Sequence, residues 1–258
     1  AGVSAQTVSR VINKRPGVAA ETRQRVLQVI SDLGYRPSRA AQALRGGGRT
    51  IGVVGFGLEY YGPSRTLVGV GQGAQKLDYE LILELVQDPE DFDVAQLLDK
   101  MTANHVNGIV WGIPHIGNNV EAAVEFARQS PNIPIVFTDI APLPGISGVV
   151  VDNYLGGQLA TRHFIEQGHR VIGHISGPQS YYSAQLRRKA WIETLGAHNL
   201  DNDLTLDHEG DWSVQSGADA FEALMRRRPD ITAVFAGNDQ MALGALYVAS
   251  RMNLRVPE

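Results

Sequence analysis

The opening residues carry side chains suited to the edges of base pairs. Gly2-Val3-Ser4-Ala5-Gln6-Thr7-Val8-Ser9-Arg10-Val11-Ile12-Asn13 sets Ala5, Gln6 and Arg10 on a face that can point into a groove. Gln pairs bidentately with adenine, Arg with guanine, and an Ala methyl can touch the methyl of thymine. Ser4, Thr7, Ser9 and Asn13 add small polar groups for phosphates. Val8, Val11 and Ile12 recur at i, i+3, i+4 and give the same helix an apolar side. Ser4 can cap that helix by accepting from first-turn N–H groups, and a helix N-terminus near phosphate adds a favourable dipole.

The charge distribution agrees with that chemistry. Residues 1–50 hold nine Lys or Arg against two acids, a net of +7, whereas the other 208 residues hold 14 basic and 25 acidic, a net of −11. Nucleic acid is the commonest partner of such a cationic head. A hydrophobic content of 43% with 19% charged residues excludes general disorder. Without cysteine the chain has no disulfide scaffold, thiolate metal site or cysteine nucleophile. No apolar run reaches a membrane span, and no signal pattern opens the chain, so the expected location is cytoplasmic.

Other chemistry finds little footing. Gly69-Val70-Gly71-Gln72-Gly73 has the composition of a phosphate loop but lies inside a helical pattern. His163, His169 and His174 lack the spacing of a helix-borne metal pair, so neither a metal nor a cofactor is expected. Arg226-Arg227-Arg228-Pro229 reads as a cationic helix C-terminus. No nucleophile elbow, Walker loop or paired catalytic carboxylates stand out, which speaks against an enzyme.

The elements that must position these residues fall into two styles. Residues 4–12 and 20–33 read as helices, the second with Val26, Ile30 and Leu33 on one face and Gly34 as terminator. A short helix-compatible piece, 37–45, and Gly46-Gly47-Gly48 follow as a linker. From residue 51 strands and helices alternate. Strands are expected at 51–56, 81–86, 108–111, 135–138, 148–151, 171–175 and 233–236, with a weaker one at 204–206. Helices are expected at 92–103, 119–128, 155–166, 183–195, 214–227 and 240–251. The alternation implies an α/β fold of parallel sheets, and its length implies two doubly wound lobes, with the loop 141–147 as crossover. The expected division is 1–36, 37–50, 51–147 and 148–258.

Several motifs in order carry a resemblance. The opening G-V-S-x-x-T-V-S-R-V-x-N run is similar to the second half of a helix-turn-helix. Gly34-Tyr35-Arg36-Pro37-Ser38-Arg39-Ala40-Ala41 resembles a linker and hinge helix. Ser183-Ala184-Gln185-Leu186-Arg187 with Trp191, Glu209-Gly210-Asp211-Trp212-Ser213 and Asn238-Asp239-Gln240-Met241-Ala242-Leu243-Gly244-Ala245 resemble motifs of an effector domain. Together they resemble the LacI/GalR family of transcriptional repressors along the whole chain. The resemblance implies a first helix of the helix-turn-helix before Ala1 and further segments of both lobes beyond Glu258.

It also implies roles. Ala5, Gln6 and Arg10 would face bases, while Ser4, Thr7, Ser9, Asn13 and Thr22 would hold phosphates and set register. Leu44 would wedge into the minor groove, or else pack on a partner hinge helix. Tyr60, Gly62 and Pro63 on one wall, and Asp139, Arg187, Trp212 and Asn238 on the other, would hold a sugar between periplasmic-binding-protein-like lobes. Arg187 and Asn238 suit vicinal hydroxyls, and Trp212 offers a flat face. The alternatives are a core role for Trp212, a surface ion pair for Arg187 and a capping role for Asp139. Phe56 and Glu59-Tyr60-Tyr61 depart from the resembled pattern, which implies a ligand of different size or aglycone.

The expected function is therefore a repressor of palindromic operator DNA, released or recruited by a small, galactoside-like sugar. It would act as a homodimer through the face around 67–76 and the last helix, with a tetramer left open. The competing reading is a sugar receptor of the same two-lobed fold with no DNA function.

Overall fold

The computed structural model describes residues 1–12, 15–35 and 49–257. They belong to two compact units, Ala1–Arg49 and Thr50–Glu258.

The first unit holds helices α1 (Ala5–Ile12) and α2 (Ala20–Asp32). Ser4 Oγ accepts from the Thr7 N–H at 3.2 Å, the cap its position suggests. Val11 and Val26, 2% and 1% exposed, form the small core. Arg23 Nη2 donates to the Arg15 carbonyl at 2.9 Å and ties the inter-helix turn to α2. Gly34 adopts φ +56°, and the N–H groups of Gly34 and Tyr35 return to the carbonyls of Ser31 and Ile30. That is a Schellman end, which only a residue at ease with positive φ closes without strain. Leu33 does not join the apolar face. It is the C-cap residue and is 75% exposed, because the chain leaves the helix register there. Asn13, the 37–45 segment with Leu44, and the 46–48 glycines lie outside the described residues.

The second unit is built on two parallel sheets. The first has order β2-β1-β3-β4-β5, with β1 (Thr50–Gly55), β2 (Glu80–Leu85), β3 (Gly108–Gly112), β4 (Ile135–Thr138) and β5 (Ser147–Val149). Helices α3 (Tyr61–Lys76), α4 (Val94–Ala103) and α5 (Asn119–Gln129) lie between these strands in sequence. The second sheet has order β7-β6-β8, with β6 (Ile172–Ser176), β7 (Asp207–Glu209) and β8 (Ala233–Ala236). Its helices are α6 (Asn153–Glu166), α7 (Tyr182–Ala197), α8 (Val214–Arg227) and α9 (Asp239–Arg251). All pairings among the described strands are parallel. Each sheet has its own core. One gathers Trp111, Phe137, Leu98 and Met101; the other gathers Trp191, Ile172, Ile175, Leu206 and Leu224. Every residue of β6 is buried, as expected for a parallel strand covered on both faces.

Two expectations change and one holds. The strand expected at 148–151 to open the second lobe is β5, which pairs with β4 through Val136↔Ser147 and Thr138↔Val149. The Pro- and Gly-containing loop before it therefore returns to its own sheet, and the chain crosses over after Val149. A turn signal marks a reversal without naming the strand that receives it. The weak strand at 204–206 is a 3-10 turn, held by Asp203, whose carboxylate accepts from Thr205 N–H at 2.7 Å; the strand follows at Asp207. The glycine-rich run 69–73 lies within α3, as its pattern indicated.

Candidate nucleic-acid interface and ligand cleft

Along α1, Ser4, Ala5, Gln6 and Arg10 are exposed, while Thr7 and Ser9 are half-buried beside the Val11 side. The amphipathic pattern positions them: burying Val11 against Val26 leaves Gln6 and Arg10, one turn apart, at the surface. Ser4 Oγ and Thr7 Oγ1 share a hydrogen bond at 3.0 Å, so two hydroxyls are grouped where the helix dipole is positive. Thr22 is half-buried in the first turn of α2, and Arg15 and Arg25 are exposed nearby in sequence. The surface presents hydroxyl donors and cations, with Gln6 and Arg10 exposed beside them.

In the second unit the predicted ligand residues come from the C-terminal ends of strands. Asp139 follows β4 with φ +55°, its N–H turned to the Val149 carbonyl at 3.4 Å. That left-handed turn brings its carboxylate within electrostatic reach of Ser183 and Arg187 of the second lobe. Loss of hydration beside the neighbouring protein atoms pushes the Asp139 carboxyl above its ordinary range even though the residue as a whole is exposed, and Ser183 and Arg187 pull the other way. Arg187, on the first half of α7, donates Nε to Asn153 Oδ1 at 2.9 Å and Nη1 to the Gly237 carbonyl. Burial draws its guanidinium below the usual value, with Asp139 opposing.

Trp212 follows β7 with φ +74° and is 8% exposed. Its indole lies flat on Gly177, where an added Cβ would sit 2.0 Å from the ring; glycine is required for this approach. Arg187 Cζ stands 5.8 Å from the ring centroid, and Tyr181 meets the ring edge-on at 5.9 Å. Trp212 is thus a member of the second core that also stands beside Arg187 and Tyr181. Asn238 acts through others. Its Oδ1 caps α9 at the Met241 N–H, 2.8 Å, and its Nδ2 donates to the Trp212 carbonyl at 2.9 Å, so its amide holds Trp212 in place.

Tyr60, between β1 and α3, packs against the second lobe's core and sends its hydroxyl to the Asp211 carbonyl at 3.4 Å. Pro63 lies close to it over Gly57. Gly62 is exposed, and a Cβ there would meet open space. The fold also gathers residues that were not singled out: Asn153, Tyr181, Ser183 as a direct partner, and Asp211. Burial, and the neighbouring Tyr60, Glu59 and Glu90, push the Tyr181 hydroxyl up to about 12. The signal for Tyr181 was an aromatic pair in the loop after a strand ending in Gly177-Pro178.

A basic helix pair joined in one chain to two parallel sheets, with polar groups converging at the strand ends, defines a ligand-responsive regulator built on a receptor fold. The comparisons agree. Residues 1–38 match the family described as bacterial regulatory proteins, lacI family, and residues 161–258 match a periplasmic binding protein-like domain. The lactose operon repressor of Klebsiella pneumoniae is 31% identical over 252 residues, covering 97% of this chain and 70% of that protein. A solved lac repressor dimer, bound to operator and the anti-inducer ONPF, superposes with a TM-score of 0.86 at 30% identity, covering 99% of this chain and 76% of that one. A complex of the transcriptional regulator CelR with cellobiose gives a TM-score of 0.71 at 30% identity, covering 99% and 77%. The chain belongs to the lacI family of bacterial regulatory proteins. Its family is one of transcriptional regulators rather than enzymes.

Proposed function

We propose that the protein is a sequence-specific DNA-binding repressor whose operator affinity is controlled by a small sugar, galactoside-like, held between the two sheets. One observation carries the reading. Asp139, at the end of a first-sheet strand, lies within electrostatic reach of Ser183 and Arg187 of the second lobe, which supports a polar site shared by both lobes. A carboxylate, a guanidinium and a hydroxyl are the acceptor and donors that neighbouring sugar hydroxyls require. Ligands in related structures, ONPF and cellobiose, belong to the same chemical class.

On DNA, Gln6, Arg10 and Ala5 read base edges, and Ser4, Thr7, Ser9 and Thr22 hold phosphates; Asn13 and Leu44 complete the set on the family pattern. Two copies bind a palindromic operator, as two-fold symmetry requires, in the cytoplasm where that DNA lies. The lobes divide after β5, in the 150–152 connection. Because a ligand contacting both lobes changes their relative energies, sugar and operator affinities are coupled, and by reciprocity each alters the other equally.

A mobility-shift titration tests the reading. The protein is expected to shift an operator-like palindrome more tightly than a random duplex, with affinity falling steeply as salt rises. Adding the correct glycoside is expected to change operator affinity. Equal binding to all duplexes, or an operator affinity indifferent to a sugar that binds the protein, would overturn it.

A further inference from the structure

After β5 the chain passes to the second sheet through residues 150–152, where Val150 and Val151 are 46% and 74% exposed. Asn153, the next residue, is only 5% exposed, and both ends of its amide are used. Its Nδ2 donates to the Val151 carbonyl at 3.1 Å, the same oxygen that its backbone N–H reaches at 2.8 Å. Its Oδ1 accepts from Arg187 Nε at 2.9 Å. Arg187 also donates Nη1 to the carbonyl of Gly237, the residue after β8. One buried amide thus joins the lobe connection to the guanidinium. Capping of α6 does not need this side chain, because Asp152 Oδ1 already accepts from the Leu155 N–H at 2.8 Å. One turn further on, a Cβ at Gly157 would stand 2.8 Å from Ala190 Cβ and 2.9 Å from the Arg187 carbonyl. Helices α6 and α7 are therefore in close backbone contact beside the Asn153–Arg187 bond.

We propose that Asn153 is a positioning residue that links the placement of Arg187 to the lobe connection, and so sets how strongly an effector changes operator affinity. This rests on the sugar-controlled repressor reading above. With α6 and α7 in close contact at Gly157, the guanidinium cannot shift relative to residues 150–152 unless one of the two amide hydrogen bonds breaks. Either break leaves a buried polar group unpaired, which is costly. Asp139, on the first sheet, attracts the same guanidinium, so Arg187 responds to the opposite lobe as well as to the connection. A ligand that favours one placement of Arg187 then favours one geometry of the connection, and a free energy shared in this way is what coupling between two sites requires.

Two variants of the full chain separate the links. Asn153→Asp keeps an acceptor for Arg187 but loses the side-chain donor to Val151, while the backbone N–H still holds the turn. Asn153→Ala loses both. Operator affinity is measured by mobility shift on one palindromic duplex, with and without saturating probe, and probe affinity by calorimetry. The probes are lactose, cellobiose and o-nitrophenyl β-galactoside. In the wild type, a bound probe is expected to change operator affinity at least about fivefold. Asn153→Asp is expected to bind that probe within about threefold of wild type, yet to change operator affinity less than about twofold. Asn153→Ala is expected to lose that response and about tenfold in probe affinity as well. Operator affinity without probe is expected to stay at the wild-type level in both. Because each response is a ratio within one variant, a general loss of folded protein cancels, and circular dichroism checks folding. A wild-type response in Asn153→Asp, or wild-type probe affinity in Asn153→Ala, overturns the inference alone. Failure of all three probes to bind, or a bound probe that leaves wild-type operator affinity unchanged, overturns the sugar-controlled reading and this inference with it.

Discussion

Asn238 carries an amide whose oxygen and nitrogen each bond to the protein, so substituting it tests how far stability and ligand sensing are linked. Its Oδ1 caps α9 at Met241 N–H and its Nδ2 holds the Trp212 carbonyl. Asn238→Ala removes both. Loss of an N-cap costs about 1 kcal/mol, and loss of the second hydrogen bond costs about 1 kcal/mol more. For a unit of this size, a total of about 2 kcal/mol corresponds to a fall in Tm of roughly 4–8 °C. Asn238→Asp keeps the acceptor at α9 but places a carboxylate against the Trp212 carbonyl. It is expected to lose about half as much stability as the alanine variant, yet to disturb Trp212, at φ +74°, at least as much. The assay is thermal unfolding by circular dichroism, together with the sugar-dependent change in fluorescence assigned to Trp212 by comparison with Trp212→Phe. If Asn238→Asp shows a wild-type fluorescence response and sugar affinity, the amide does not hold Trp212 for the ligand. If Asn238→Ala melts with the wild type, the cap contributes nothing.

Three other outcomes are expected. Arg10→Ala should cost about 1–3 kcal/mol of affinity for the operator and less for a random duplex; equal losses on both, measured by mobility shift, would remove Arg10 from base recognition. Gly244→Ala should lower stability by about 1–3 kcal/mol or more in urea unfolding, because the new Cβ would sit 2.0 Å from the Val214 carbonyl; an unchanged midpoint would mean that α8 and α9 slide apart freely. Arg188→Met should raise the midpoint of acid unfolding. Burial alone would raise the Asp207 carboxyl, but its hydrogen bonds from His174 Nδ1 at 2.8 Å and Arg188 Nε at 2.7 Å, with the Arg188 charge, hold it below the ordinary range. Burial favours the neutral form of His174, whereas Arg188 brings a guanidinium against the same carboxylate. A carboxyl depressed on folding stabilises the fold above its unfolded value, and the effect fades as pH falls through the folded one. An acid limb that does not move on removing Arg188 would show that Asp207 needs no cation.

Much of the headpiece was legible because its signals are local. Ser4 caps its own helix, Val8, Val11 and Ile12 mark one face within a few turns, and Gly34 ends the next helix through residues three to five positions back. The exception, Leu33, had the right spacing but fell on the cap, where periodicity no longer predicts direction. In the second unit the strand positions were legible from β-branched runs, and Asp139, Arg187, Trp212 and Asn238 emerged through motif resemblance. Tyr181, Asn153 and Asp211 did not emerge, because their roles come from partners distant in sequence.

The sequence by itself determined a cationic, capped helix pair followed by alternating strands and helices, since charge, capping and periodicity act over a few residues. Only the tertiary structure decided that β5 closes the first sheet, that Trp212 lies flat on Gly177 and is held by Asn238, and that Tyr60 and Tyr181 pack against the same core. Those facts depend on segments far apart in the chain packing to a common density. No local pattern encodes which of several equally apolar strands or aromatic loops will be neighbours.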